Sequence, residues 1–290
     1  MNRRTPPLLA IASPFPKARS VLRLLEAPDI CQKSLWERLC DGTYDRPFIV
    51  DSGSRRFLHF DLDAVQSAMH LEYPDKLCLA YTRKMMAFLL FNRVPERILL
   101  LGLGGGSLAK FCYRRLRCAT VTAVEANPDV IALREEFRIP ADNDRFRVIR
   151  ADGAAYVADI PPCKDVILAD ACDRAGIAPE FDAIEFYQNA RRCLSRDGVF
   201  VINVCGDIRC RAEHLLKIRA VFGDDFMMLQ VGADGNVIVF AFKERRPEID
   251  WQYLEATAVD LKRRFDLNFP KCVRRLALEW DLRRWRHQFA

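Results

Sequence analysis

No stretch of this 290-residue chain is apolar for long enough to span a bilayer, which takes about 18 or more such residues. The one apolar run near the amino terminus, residues 8–12, is hemmed in by prolines at 6, 7, 14 and 16 and is shorter than the core of a secretory signal. Histidine is scarce (His59, His70, His214, His287), and neither a paired-ligand spacing nor a Cys-x-x-Cys occurs, so no metal site is expected. Internal repeats are absent. Residues 1–25 hold no acid at all, only Arg3, Arg4, Lys17, Arg19 and Arg23. An acid-free start also fits an organellar transit peptide, but the prolines oppose the amphipathic helix that one needs. This segment reads as a basic, flexible arm.

What is present is ordinary for a globular protein: half the residues are hydrophobic and 29% are charged. Cysteine is plentiful, eleven in all, and Cys78, Cys118 and Cys205 sit among aliphatic residues as small core hydrophobes would. An odd count with no framework spacing reads as a reduced, cytoplasmic protein. The +6 net charge is uneven: +5 lies in residues 1–25 and +4 in residues 251–290, leaving −3 for the middle. An acidic body argues against nucleic acid as a partner, and the basic ends read as solvated.

Four segments follow in order: the arm at 1–25, a small β-containing region at 26–96, a βα-repeating domain at 97–245 and a basic helical extension at 246–290. In the second, residues 46–50 and 56–61 around Ser52-Gly53-Ser54 form a hairpin, residues 66–71 a loop, and residues 77–91 a buried helix. From Arg97 strands at 97–102, 119–125, 146–150, 165–170 and 198–204 alternate with helices at 107–117, 128–137, 182–195 and 209–222. Asn127-Pro128 reads as a helix cap followed by a first-turn proline. Residues 226–231 and 237–242 close the domain as a hairpin.

Such an order makes an α/β fold with a mostly parallel seven-stranded sheet ending in an antiparallel hairpin. That is the layout of the class I methyltransferase-like Rossmann fold rather than of a six-stranded dehydrogenase.

Acidic or glycine signatures stand at four successive strand ends, where open α/β sheets bind ligands. Gly102, Gly104, Gly105 and Gly106 let the backbone turn tightly against a ligand. A tight turn with no ligand would use the same glycines. Glu125 follows Gly102 by 23 residues, at the next strand end, where a carboxylate can accept both hydroxyls of a ribose. Asp152 can accept an adenine amino group, with Gly153 admitting the purine edge. It can equally cap the helix that follows. Asp170 and Asp173 end the fourth strand, close enough to converge on a cationic substrate, with Asp170 the better placed. Loop and cap chemistry would place Asp there as well.

These residues resemble the spermidine synthase family, the polyamine aminopropyltransferases, over roughly residues 44–242. The matching pieces are Val65-Gln66-Ser67, Tyr81, the glycine loop, Glu125, Asp152-Gly153, Asp170-x-x-Asp173, and Glu185-Phe186-Tyr187 ahead of Leu194 to Val199. The resemblance implies transfer of an aminopropyl group from decarboxylated S-adenosylmethionine to a diamine such as putrescine. Glu125 would hold the ribose and Asp152 the adenine. Asp170, aided by Tyr81, would take the proton, while Gln66 and Asp173 would hold the diamine. It also implies a homodimer or homotetramer, with no metal and no membrane.

The chain departs from the family pattern too. Gly105 stands where the family has the Asp that contacts the donor amine, and Leu103 replaces the second glycine. Thr82-Arg83 follow Tyr81, Asp45 stands beside Tyr44, and Arg174 replaces a proline. With Arg83 and Arg174 nearby, such a site would also suit the carboxylate of intact S-adenosylmethionine. A class I methyltransferase is therefore the second reading, and a non-catalytic adenosyl-binding homologue the third.

Overall fold

A computed structural model describes residues 8–12, 20–172, 177–232, 235–244 and 249–288, with side chains described as far as Asp281. Two sheets organise it. The larger has seven strands in the order β11-β12-β10-β9-β6-β7-β8. These are β6 (Arg97–Leu101), β7 (Thr120–Glu125), β8 (Phe146–Arg150), β9 (Lys164–Ala169), β10 (Leu194–Val204), β11 (Phe226–Gln230) and β12 (Val237–Phe242). β8, β7, β6, β9 and β10 run parallel, and β12 joins β10 and β11 antiparallel. The mostly parallel sheet with a terminal hairpin is the one expected.

Past their first residues β6 and β9 are apolar without a break because both faces are covered. Ile98 and Leu100 of β6 enter one core, while Leu99 and Leu101 enter the other. Val166 and Leu168 of β9 part from Ile167 and Ala169 in the same way. The chain runs outward from β6 to β8 and then returns to β9 on the other flank of β6. Strand order thus reverses between β6 and β9, and a crevice opens above their carboxyl ends.

The amino-terminal region is larger than the hairpin expected. It is a five-stranded antiparallel sheet: β1 (Leu9–Ala12), β2 (Ser20–Leu24), β3 (Phe48–Ser52), β4 (Arg55–His59) and β5 (Val65–His70), paired in that order. Two of its strands come from the stretch read as a flexible arm. Leu22 and Leu24 are buried there, with Ile11 beside them, in a small core with Leu35 and Phe48. The stretch read as a loop, 66–71, is β5; Ser67, Ala68 and Met69 are all buried, so the polar–apolar alternation that marks a strand is missing. The buried helix expected at 77–91 is shorter, α2 (Ala80–Met85), continued by a 3-10 turn over Met86–Leu90.

α3 (Ser107–Arg115) follows the glycine loop, and its fully buried Lys110 donates from Nζ to the Phe137 carbonyl at 2.6 Å. α4 (Pro128–Ala132) is capped by Asn127 as expected, but it is shorter than predicted. The chain turns left-handed at Arg138 (φ 51°), where Ile139 N donates to the Arg134 carbonyl and Arg138 N to the Glu135 carbonyl, each at 2.9 Å, the paired bonds of a helix C-terminal turn. The carboxyl-terminal region is helical as read, in α8 (Trp251–Phe265) and α9 (Phe269–Gln288). Trp280 packs on the main core, and Trp285 lies beyond the described side chains. Among the described residues no helix is long and apolar enough to cross a membrane.

Candidate functional site

Everything at the switch point is built on how closely β6 and β9 end. Gly102 has φ +92°, and a Cβ placed on it would lie 2.3 Å from the Asp170 carbonyl oxygen. Only glycine fits both the dihedral and the space. Gly104 (φ +51°) and Gly106 (φ +66°) continue the turn, the latter held against the Ile139 side chain. The loop's amides close on Glu125 at the end of β7. Its Oε2 accepts from Leu103 N at 2.9 Å and Gly104 N at 3.5 Å, and its Oε1 accepts from Asn127 N at 2.9 Å. Glu125 therefore shapes the glycine loop as well as facing the crevice.

The crevice is one cavity of about 490 Å³, and Gly102, Gly104, Glu125 and Asp170 line it. Gln66 and Tyr81 line it from β5 and α2, and Gly153 from the start of α5 (Gly153–Asp159). Three predicted residues are not in its lining. Gly105 faces the amino-terminal sheet: a Cβ there would lie 2.7 Å from Ser67 Oγ and 2.9 Å from Phe137 Cδ1. Gly106 is taken up with Ile139. Asp152 is exposed, and its Oδ1 caps α5 by accepting from Ala155 N at 2.7 Å. Of its two anticipated roles, the cap is the one seen. Asp173 and Arg174 lie outside the described residues.

Gly153 lines the cavity but has no room for a side chain, because a Cβ there would meet the Phe181 ring at 2.8 Å. The Phe181 ring, stacked on Phe186 with centroids 4.4 Å apart, supplies an aromatic wall instead. Arg83 does not reach the cavity, since its guanidinium donates to the Leu77 and Cys78 carbonyls. The anticipated carboxylate-binding role for it therefore fails.

Asp170, one residue beyond β9, lies within a hydrogen-bonded cluster. Asn203 Nδ2 donates to its Oδ1 at 3.1 Å, and the Tyr81 hydroxyl hydrogen-bonds to the same carboxylate. Asn236 in turn donates to Asn203 Oδ1 at 3.1 Å. Burial raises the Asp170 pKa from 3.8 to about 6, against the lowering effect of those two hydrogen bonds. Burial likewise pushes the Tyr81 phenol well above its usual range, and the neighbouring carboxylate adds to this. At neutral pH Asp170 is ionised yet unusually ready to accept a proton. Among the described lining residues, Glu125, Asp170 and Glu180 carry charge and no cation does. The described residues contain no cluster of three or more His, Cys, Asp or Glu arranged to hold a metal ion.

Sequence reasoning missed Asn203, Asn236, Glu180 and Phe181. Asn203 carried a signal, as the lone amide in the apolar run from Val199 to Val204. It also missed a disulfide: Cys172 is bonded to Cys205, with Cα atoms 6.7 Å apart, and both residues line the cavity. Cys205 is thus no plain core hydrophobe, while Cys118 is exposed and Cys78 half-buried. Cys112 and Cys193 are buried thiols of the kind expected.

Residues 78–227 match the spermine/spermidine synthase domain. The polyamine aminopropyltransferase of Chromobacterium violaceum is 38% identical over 229 residues, 79% of this chain and 88% of that protein. Human methyltransferase-like protein 13, solved with S-adenosylhomocysteine, superposes with a TM-score of 0.59 at 26% identity, over 65% of this chain and 93% of that one. A spermidine synthase bound to the transition-state analogue AdoDATO superposes at 0.55 and 19% identity, over 77% of this chain and 86% of that one, a likeness of fold. The chain belongs to the spermine/spermidine synthase family and is a transferase.

Proposed function

We propose that this protein transfers an aminopropyl group from decarboxylated S-adenosylmethionine to a primary amine, a diamine such as putrescine. The observation that carries the reading is the Tyr81–Asp170–Asn203 cluster in a cavity whose described lining holds three carboxylates and no cation. A sulfonium and an ammonium must meet there, and clustered negative charge lowers their repulsion. The carboxylate of an intact donor would find no counter-charge among those residues.

Glu125 accepts the ribose hydroxyls while keeping the loop amides in register. Phe181, in the cavity wall, is the aromatic neighbour of the adenine, and the second oxygen of Asp152 is left to take the adenine amino group. An alkyl ammonium has a pKa near that of lysine, about 10.4, and is not nucleophilic until it loses a proton. Asp170 accepts that proton, with Asn203 and Tyr81 fixing the carboxylate. The freed nitrogen lone pair attacks the propyl carbon beside sulfur, and the carbon–sulfur electrons leave with a neutral thioether, so no general acid is needed. Gln66 and Glu180, which line the cavity, are assigned to the far end of the acceptor, and Asp173 shares that role. The protein acts in the cytoplasm as a homodimer or homotetramer.

The methyltransferase reading rests on Gly105, which lacks the acid that would bind the donor amine. Calorimetry with decarboxylated and intact S-adenosylmethionine separates the two. We expect the decarboxylated donor to bind more tightly and to support transfer to putrescine. Tighter binding of the carboxylated form would favour methyl transfer.

A further inference from the structure

Of the cysteines, Cys172 and Cys205 form the one disulfide among the described residues, and nine others are free thiols. One bond in a chain otherwise rich in unpaired thiols is a poor framework for a fold, and its position is specific. Cys172 lies two residues after Asp170, and Cys205 two residues after Asn203. The bond thus spans the same strand ends that the Asn203–Asp170 hydrogen bond joins. Asn203 Nδ2 lies 3.7 Å from Cys172 Sγ. On the other side, the Asp170 carbonyl and the Ala171 Cα press on Gly102, 2.3 and 3.5 Å from where its Cβ would be. Tethering Cys172 therefore braces both the proton acceptor and the glycine loop.

We propose that Cys172 and Cys205 are a reversible thiol–disulfide site in the pocket wall, whose closure stiffens the transfer site. The partner is a low-molecular-weight disulfide of the glutathione type. Cys172, the more exposed of the two, attacks it as a thiolate and releases one thiol, forming a mixed disulfide. Cys205 then displaces the second thiol. Two protein thiols and one small disulfide thus become one protein disulfide and two small thiols, and excess thiol reverses the exchange.

The test equilibrates the full-length protein in glutathione buffers from reducing to oxidising, then alkylates and digests it. The Cys172–Cys205 peptide should appear and disappear reversibly while the other cysteines stay alkylated. Pairing of Cys205 with Cys210, whose Sγ lies 3.8 Å from the Cys205 carbonyl, or no pairing at all, would overturn the assignment. Hydrogen exchange at the Leu103 and Gly104 amides should slow roughly three-fold or more on closure. Cys172→Ser should exchange like the reduced protein and ignore the oxidant. Equal exchange in both states would leave no brace. The consequence for turnover rests on the aminopropyl-transfer reading, with the closed form expected to turn over several-fold faster. Redox-dependent exchange with no transfer in either state would refute that reading and leave the redox site standing.

Discussion

Replacing Asp170 by Asn should stabilise the protein while destroying its activity, with a pH signature that gives the reason. The folded environment raises the Asp170 pKa from 3.8 to about 6. That gap is worth about 3 kcal/mol of differential interaction, set against the ionised form. Above pH 6 the carboxylate is charged in both folded and unfolded chains, and the whole cost is present. As pH falls through 6 the folded group takes up its proton first, so the cost shrinks, to about 1 kcal/mol near pH 4.5, and it is gone below 3.8. The amide of Asn is neutral throughout and can still accept from Asn203. The variant should therefore melt higher than the wild type at pH 8, by about 5 °C, and by much less at pH 4.5. Amine transfer should fall by about 10²-fold or more, and wild-type kcat/KM should drop as pH falls below about 6. Differential scanning calorimetry at the two pH values decides the matter. A variant that melts below wild type by the same margin at both would mean that the carboxylate is not disfavoured by the fold. The assignment of Asp170 as proton acceptor would then lose its physical basis.

Glu125→Ala removes the acceptor for three backbone amides as well as the ribose contact, and should weaken adenosyl-ligand binding by about 1–3 kcal/mol. Unchanged calorimetric affinity would remove both roles. Gly105→Asp, which restores the family's residue, should add no transfer activity and should destabilise by about 1–3 kcal/mol, because its Cβ would collide with Ser67 and Phe137. Pairing it with Ser67→Gly should recover part of the lost melting temperature. A single variant as stable as wild type would show that this space is open.

The βα domain was legible from residue 97 onward because its buried strands are short, apolar and punctuated by glycine or acid at their ends. The strand at 146–150 and the Asn127 cap are seen where they were expected. The amino-terminal sheet was not legible, for a physical reason: β5 buries Ser67, Ala68 and Met69 in succession, and β1 and β2 belong to a segment whose basic charge suggested solvent. Strand pairing is a property of partners distant in sequence, and no local pattern carries it. Type and spacing singled out Glu125 and Asp170, and both line the cavity. Asn236 was hidden, because it follows a Gly in what reads as an ordinary turn. Cys172 and Cys205 were hidden because a bond across 33 residues leaves no trace in local spacing.

The glycine loop shows why motif and mechanism are hard to separate here. A glycine at this strand end can serve to admit a ligand, yet in this protein the place of its Cβ is already taken by the Asp170 carbonyl. The same backbone hydrogen-bonds in the reverse sense, Asp170 N donating to the Leu101 carbonyl at 2.9 Å. Any side chain at 102 would thus displace the Asp170 backbone. Leu103 can replace a glycine one position on because its side chain turns into the core, where it is 7% exposed. Gly105 remains glycine for a different reason, the Ser67 hydroxyl and the Phe137 ring, with Lys110 holding the Phe137 backbone in place. Three positions of one loop therefore answer to three different neighbours. An acid missing at 105 reflects how the amino-terminal sheet seats on the loop, and the acidity of the pocket is carried instead by Glu125, Asp170 and Glu180.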